Sequence, residues 1–294
     1  MRPDFFHIGY PRTGTTFLQS SIFKQCRNEV FFQKSKVPFF YKWKPELKNE
    51  IYHDIKRDII KGKIFLDTEE EFSGDMLRDN YEFPRYISEI NKNAKIILTI
   101  RSQFSIIPSI YNLYIKKGGQ LNFDEYLKLI IKNEKFNFFK LYNQYLKFFK
   151  KEQILVLFFE ELIENQKIYI EKILNFMRIK RKKINTKIES RFKNASPGFE
   201  YIYCTYLLNK ILDLKIPTRL MSLNQRKIAL KNLQKRRQIL HPIFFILSRL
   251  KKIFGKNKLE LNLEQKKIVE KAYSMDNKSL FKKLSNTSFT KYYP

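Results

Sequence analysis

The chain has 294 residues, 43% apolar and 16% aromatic, with 28 Phe and 17 Tyr. That much apolar side chain can fill a large core, which excludes wholesale disorder, and the length suits one long α/β domain as well as two average ones. Fifty-eight Lys and Arg against 29 Asp and Glu leave +29; nucleic acid, an anionic membrane or a polyanion would suit that balance, but AT-rich coding produces it too, so charge alone identifies no partner.

Phe5, Phe6, His7 and Ile8 form a short apolar run that stops at Gly9, and Thr16 to Phe23 then carries apolar residues at helical spacing. Lys63–Leu66 is a second short strand, ending in the acidic cluster Asp67, Glu69, Glu70 and Glu71. Ala94–Ile100 is a third, closed by Arg101, and Gln153–Phe159 a fourth, followed by a helical stretch to about Met177. Between these last two strands, Phe104–Lys117 and Phe123–Phe149 read as helices split by Gly118-Gly119. Near-continuous apolar strands separated by helices are what a buried parallel sheet requires, so the expected class is α/β, a three-layer sandwich with helices on both faces. From Lys180 the pattern loosens into basic loops, with helices near Phe199–Leu212 and Leu263–Leu284. The expected organisation is a single domain over 1–294, with a core of about 1–179 and a helical, basic carboxy-terminal portion of about 180–294.

Gly9-Tyr10-Pro11-Arg12-Thr13-Gly14-Thr15-Thr16 lies between a strand and a helix, where backbone N–H groups and the positive helix end converge on an anion. The glycine spacing matches a Walker A loop, but Thr15 stands where its Lys belongs and a cation appears earlier, as Arg12. A nucleotide kinase thus loses its defining residue; a phosphate cradle rimmed by a guanidinium remains. Tyr10 to Thr16 resembles the 5′-phosphosulfate loop of sulfotransferases that use 3′-phosphoadenosine 5′-phosphosulfate (PAPS), with Thr13 in place of the usual Ser. A strand ending in Arg101, with Ser109 eight residues on, resembles that family's second element in its bacterial branch, as do Lys117-Gly118 and Phe123 to Tyr126. Glu160-Glu161-Leu162, Asn194-Ala195-Ser196 and the terminal Lys291-Tyr292-Tyr293-Pro294 extend the likeness along most of the chain, weakest from Arg219 to Lys258.

The resemblance implies PAPS as donor, bound by Arg12, Thr13, Gly14, Thr15 and Thr16 at the 5′ side and by Arg101 and Ser109 at the 3′-phosphate, with no obligatory metal. Bidentate Arg matches phosphate, and the carboxyl edge of a parallel sheet is where ligands bind. Arg12 takes the position of the family's catalytic Lys and would stabilise charge on the bridging oxygen as the sulfur–oxygen bond breaks. The acceptor must lose a proton as it attacks, which calls for a base. The acidic cluster after the second strand opens toward the ligand edge; its likeness to a bacterial Ser-Ser-Glu-x-Leu-Ser segment puts the base at Glu70, with Glu69 as runner-up. Solvated carboxylates at a helix start are the structural alternative. His7 lies within the first strand and is expected to pack there.

Cys26 and Cys204, with three His in all, form no metal-ligand spacing. No run of about 18 apolar residues occurs, and the first residues already enter a strand, so a cytoplasmic protein without a leader is expected. Ile239–Leu247, flanked by Lys235-Arg236-Arg237 and by Arg249, Lys251 and Lys252, is either a core helix or a peripheral contact with anionic lipid. The expected function is sulfuryl transfer to an acceptor hydroxyl, first of all on a glycan. A P-loop kinase and a basic nucleic-acid-binding protein are the competing classes, the second without a binding motif, so no nucleic-acid partner is expected.

Overall fold

Alternation along the first strand decides the layers. In the computed structural model, which describes residues 2–34, 61–68, 73–180, 199–211, 258–286 and 288–294, β1 (Phe5–Gly9) is wholly buried. Phe6, Ile8 and the following Tyr10 enter one apolar cluster and Phe5 the other, on the opposite face. The same division recurs in β4 (Lys95–Ile100): Ile96, Leu98 and Ile100 point to the first cluster, Ile97 to the second. A sheet buried on both faces must have helices on both.

The five strands run in the order β2-β3-β1-β4-β5, all parallel, with β2 (Val30–Lys34), β3 (Ile64–Thr68) and β5 (Ile154–Phe158) completing the set. The β2 strand was not among the sequence expectations. Its alternation is blurred by two adjacent Phe, and it sits at a sheet edge where Phe31 and Phe32 are only half buried. The other four lie within a residue or two of their expected bounds.

α1 (Thr15–Phe17) continues as a π-helical stretch, Leu18–Phe23. With the helix that holds Tyr169 and Ile173 it covers the smaller cluster, to which it gives Leu18 and Ile22. The opposite face is covered by α2 (Phe83–Ile90), α3 (Gln103–Lys116), α4 (Phe123–Lys132) and α5 (Phe138–Leu146). The expected single helix over 123–149 is thus two. The chain breaks where Glu134 and Phe136 take positive φ, and Asn137 then caps α5 by accepting from the Lys140 N–H. Likewise the stretch after β5 divides into α6 (Phe159–Glu164) and α7 (Gln166–Phe176), with Asn165 as the cap between them. The helix α8 (Phe199–Ile211) packs on the end of α3, where Asn209 Nδ2 donates to the Ile115 and Gly119 carbonyls. α9 (Leu263–Leu284) opens with an Asn262/Gln265 capping box and delivers Val269, Tyr273 and Phe281 to the larger cluster.

Candidate functional site

Parallel pairing puts the carboxyl ends of β1 and β4 side by side, with Gly9 opposite Thr99. The loop after β1 and the arginine after β4 therefore leave the same edge of the sheet, the edge where open α/β folds hold ligands.

The loop is a tight turn followed by a helix start. The Tyr10 carbonyl accepts from the Thr13 N–H at 3.2 Å and from its hydroxyl at 2.6 Å. Pro11 supplies the fixed φ of the first central position, and Arg12 holds φ 74° at the second, the pattern of a type II turn with a non-glycine residue where glycine is usual. Gly14, at φ 85°, opens α1 with no side-chain cap on the helix. A Cβ on Gly9 would lie 2.5 Å from Thr15 Cγ2, so glycine is required there by close approach, and at Gly14 by its left-handed φ, with Leu162 Cδ2 2.6 Å from where a Cβ would stand. Both donors of Thr13 are engaged within the turn; Thr15 is buried and Thr16 exposed.

The second element meets the first. The Arg101 guanidinium donates through Nη1 to the Arg12 carbonyl at 2.9 Å and through Nε to Ser105 Oγ at 2.8 Å, and it lies 4.6 Å from the Phe159 ring centroid. Two of its five N–H donors are thereby used. Burial, with the charge of Arg12 adding to it and Glu160 opposing, lowers its pKa to about 10, which still leaves it cationic at neutral pH. Ser109 is buried on α3, two turns along, and its hydroxyl makes no hydrogen bond among the described residues.

Glu160, in the first turn of α6 just beyond β5, backs this half. Its Oε1 accepts from the Ser102 N–H at 2.9 Å and its Oε2 from the Tyr293 hydroxyl at 3.1 Å. Burial raises its pKa, against the pull of those hydrogen bonds and of Arg101. The chain end joins in: the Ser102 hydroxyl donates to the Tyr292 carbonyl, and Asn277 Nδ2 donates to that of Pro294. Sequence reasoning placed Glu160 and Tyr293 only by resemblance; it missed Ser105, one helical turn beyond Arg101.

Beneath both elements lies His7. It is fully buried, its Nδ1 hydrogen-bonded with Thr68 Oγ1 at 3.0 Å and its Nε2 with Thr99 Oγ1 at 3.4 Å. Burial lowers its pKa to about 4, so it packs as a neutral ring, as expected.

Glu69 and Glu70 lie outside the described residues, as do Asn194 to Ser196 and the whole basic stretch from 235 to 252. Among the described residues, no group of three or more His, Cys, Asp or Glu is placed to hold a metal ion, and no helix is long and apolar enough to cross a membrane.

Two guanidinium groups, a helix start without a side-chain cap and the Ser109 hydroxyl make a donor set that fits a dianionic or bis-anionic ligand. The family comparison agrees in kind. The sulfotransferase domain model matches residues 2–201. Among solved structures, a sulfotransferase from Alicyclobacillus acidocaldarius is 15% identical over 71% of this chain and 93% of its own, with a TM-score of 0.46. Mouse sulfotransferase SULT7A1 complexed with PAP is 17% identical over 62% of this chain and 60% of its own, with a TM-score of 0.44. The sulfotransferase domain from the Curacin biosynthetic pathway is 12% identical over 62% and 76%, with a TM-score of 0.40. No curated protein matches the chain in sequence. The match of the domain model over most of the chain carries the assignment: this protein belongs to the sulfotransferase family and is an enzyme of its PAPS-dependent kind.

Proposed function

We propose that the enzyme transfers the sulfuryl group of PAPS in line to an acceptor hydroxyl of a glycan, with Arg12 at the leaving group and a carboxylate as base. The observation that supports this reading is the direct contact between the two arginine-bearing segments, Arg101 Nη1 to the Arg12 carbonyl, at one sheet edge.

When bound, the donor supplies an activated sulfur and a second phosphate as a handle. Arg101, with its remaining N–H donors, and Ser109 hold the 3′-phosphate, while the amides of Gly14, Thr15 and Thr16 hold the 5′ side. Arg12 stays charged at any working pH and stabilises the negative charge that develops on the bridging oxygen; preorganised donors of this kind contribute several kcal/mol. Thr13 serves from within, fixing the turn. Glu70, with Glu69 as runner-up, takes the acceptor's proton. Neutral, buried His7 is unsuited to that task.

The glycan rests on the resemblance to bacterial members and on a charge of +29, which suits an acidic saccharide. The same charge fits a cytoplasmic enzyme held at the inner face of an anionic membrane. Thermal shift with adenosine 3′,5′-bisphosphate, with ATP plus magnesium and with single-stranded DNA tests the class: selective stabilisation by the bisphosphate is expected. Equal stabilisation by ATP would favour a kinase, and a steep salt-dependent shift with DNA a nucleic-acid binder. Labelled donor offered to fractionated polysaccharides and to protein and lipid fractions tests the acceptor, with label expected in polysaccharide.

A further inference from the structure

An L-residue such as Arg12 keeps φ 74° only where its surroundings over-determine it. Arg101 clamps the Arg12 carbonyl from one side. From the other, the turn hangs on Tyr10, whose side chain is fully buried behind the loop.

The Tyr10 hydroxyl donates to Asp79 Oδ2 at 2.7 Å, and the Phe136 N–H donates to the same oxygen at 3.0 Å. Lys135 Nζ donates to Asp79 Oδ1 at 2.8 Å, with both side chains almost wholly buried. The ammonium also lies 4.7 Å from the Tyr10 and Phe136 ring centroids, and the Tyr10 ring packs against Phe136 and Phe138. The supports are themselves fixed. Asp79 bridges to Gly74 in a turn closed by Asn80 N–H to the Ser73 carbonyl, and the Lys135 carbonyl accepts from the Tyr273 hydroxyl on α9.

A buried ion pair adds little net stability, because the cost of desolvating both charges offsets their attraction. What this pair does supply is an immobile carboxylate at the one spot that orients the residue anchoring the phosphate loop. We propose that Tyr10, Asp79 and Lys135 form a positioning network that holds the loop in its strained, anion-ready shape, so that turnover depends on it more than donor binding does. The kinetic half of this statement rests on the proposed sulfuryl transfer; the loop-ordering half does not. The split follows from the second anion site, whose arginine is secured by Ser105 and Phe159, so a loosened loop loses preorganised donors where charge develops while much of the ground-state affinity survives.

Tyr10→Phe removes only the hydroxyl and leaves Asp79 with Lys135 and the Phe136 N–H. Losing one buried hydrogen bond to a charged acceptor should speed hydrogen exchange of the loop amides of residues 12–16 by about tenfold, with those of α9 unchanged. Release of labelled sulfate from labelled PAPS, with water as acceptor, should slow by about tenfold, while the Kd for adenosine 3′,5′-bisphosphate shifts by less than about threefold. The double variant Asp79→Leu with Lys135→Met replaces the pair by apolar groups and should show the same loop exchange. Unchanged loop exchange in either variant overturns the network. So does a parallel loss of rate, affinity and global melting temperature, which would make the role structural only. Faster loop exchange in a protein whose wild type releases no sulfate would overturn the reaction and leave the network standing.

Discussion

The two halves of the site use opposite strategies to keep a cation in place. At the β1 loop the supporting carboxylate, Asp79, is fully buried and neutralised by its own lysine, and what it and Arg101 hold is the backbone around Arg12, through the Tyr10 hydroxyl and the Arg12 carbonyl. At the end of β4 the guanidinium is itself the scaffold: Arg101 bonds Ser105 and the Arg12 carbonyl, with Glu160 behind it and tied to Ser102 and Tyr293. A loop whose backbone is fixed presents preorganised donors where charge develops, whereas a guanidinium built into the framework provides a fixed point of attachment. The first half should therefore govern rate, and the second affinity.

Arg12→Ala is the sharpest test of that division. It should leave the fold intact, since the backbone clamps remain, and cut turnover by at least ~100-fold; purified variant with near-normal steady-state rates would end the assignment. His7, under both halves, comes next in size. Its folded pKa of about 4 is depressed from 6.5, so its contribution to stability is complete above pH 6.5 and is lost as pH falls toward 4, reaching about 3 kcal/mol. Urea unfolding at pH 7 and pH 4.5 should show a steeper loss for the wild type than for His7→Gln. Arg101→Ala should raise the KM for the donor by about tenfold or more through loss of charge-assisted bonds, and lower kcat as well because it releases the Arg12 carbonyl; an unchanged KM would erase the contrast with Arg12. Smallest is Tyr293→Phe, which removes the hydrogen bond from the Tyr293 hydroxyl to Glu160 Oε2. A weakening of donor binding of about threefold, read by calorimetry, is the expected result.

Local chemistry explains how far the sequence could be read. The inner strands announced themselves as apolar runs, the Arg12 loop stood out as a glycine-spaced turn between strand and helix, and the Arg101/Ser109 pair, compact in sequence, was picked out by the family resemblance. The break at 133–137 was hidden because Asn133 to Asn137 carries no Gly or Pro; left-handed backbone at Glu134 and Phe136 depends on tertiary contacts, among them the Gln103 donation to the Phe136 carbonyl. The same break carries Lys135, which pairs with Asp79 from 56 residues away. No periodicity relates such a pair, and a lone Lys and a lone Asp each read as solvated surface. What the sequence concealed was thus the support of the site.

Titration of adenosine 3′,5′-bisphosphate and of adenosine 5′-monophosphate into the wild type and Arg101→Ala bears on whether one nucleotide spans both halves. The wild type should bind the bisphosphate at least about tenfold more tightly, and Arg101→Ala should abolish most of that preference. Equal affinities in the wild type, or a preference that survives the loss of Arg101, would contradict a site made of two joined anion pockets.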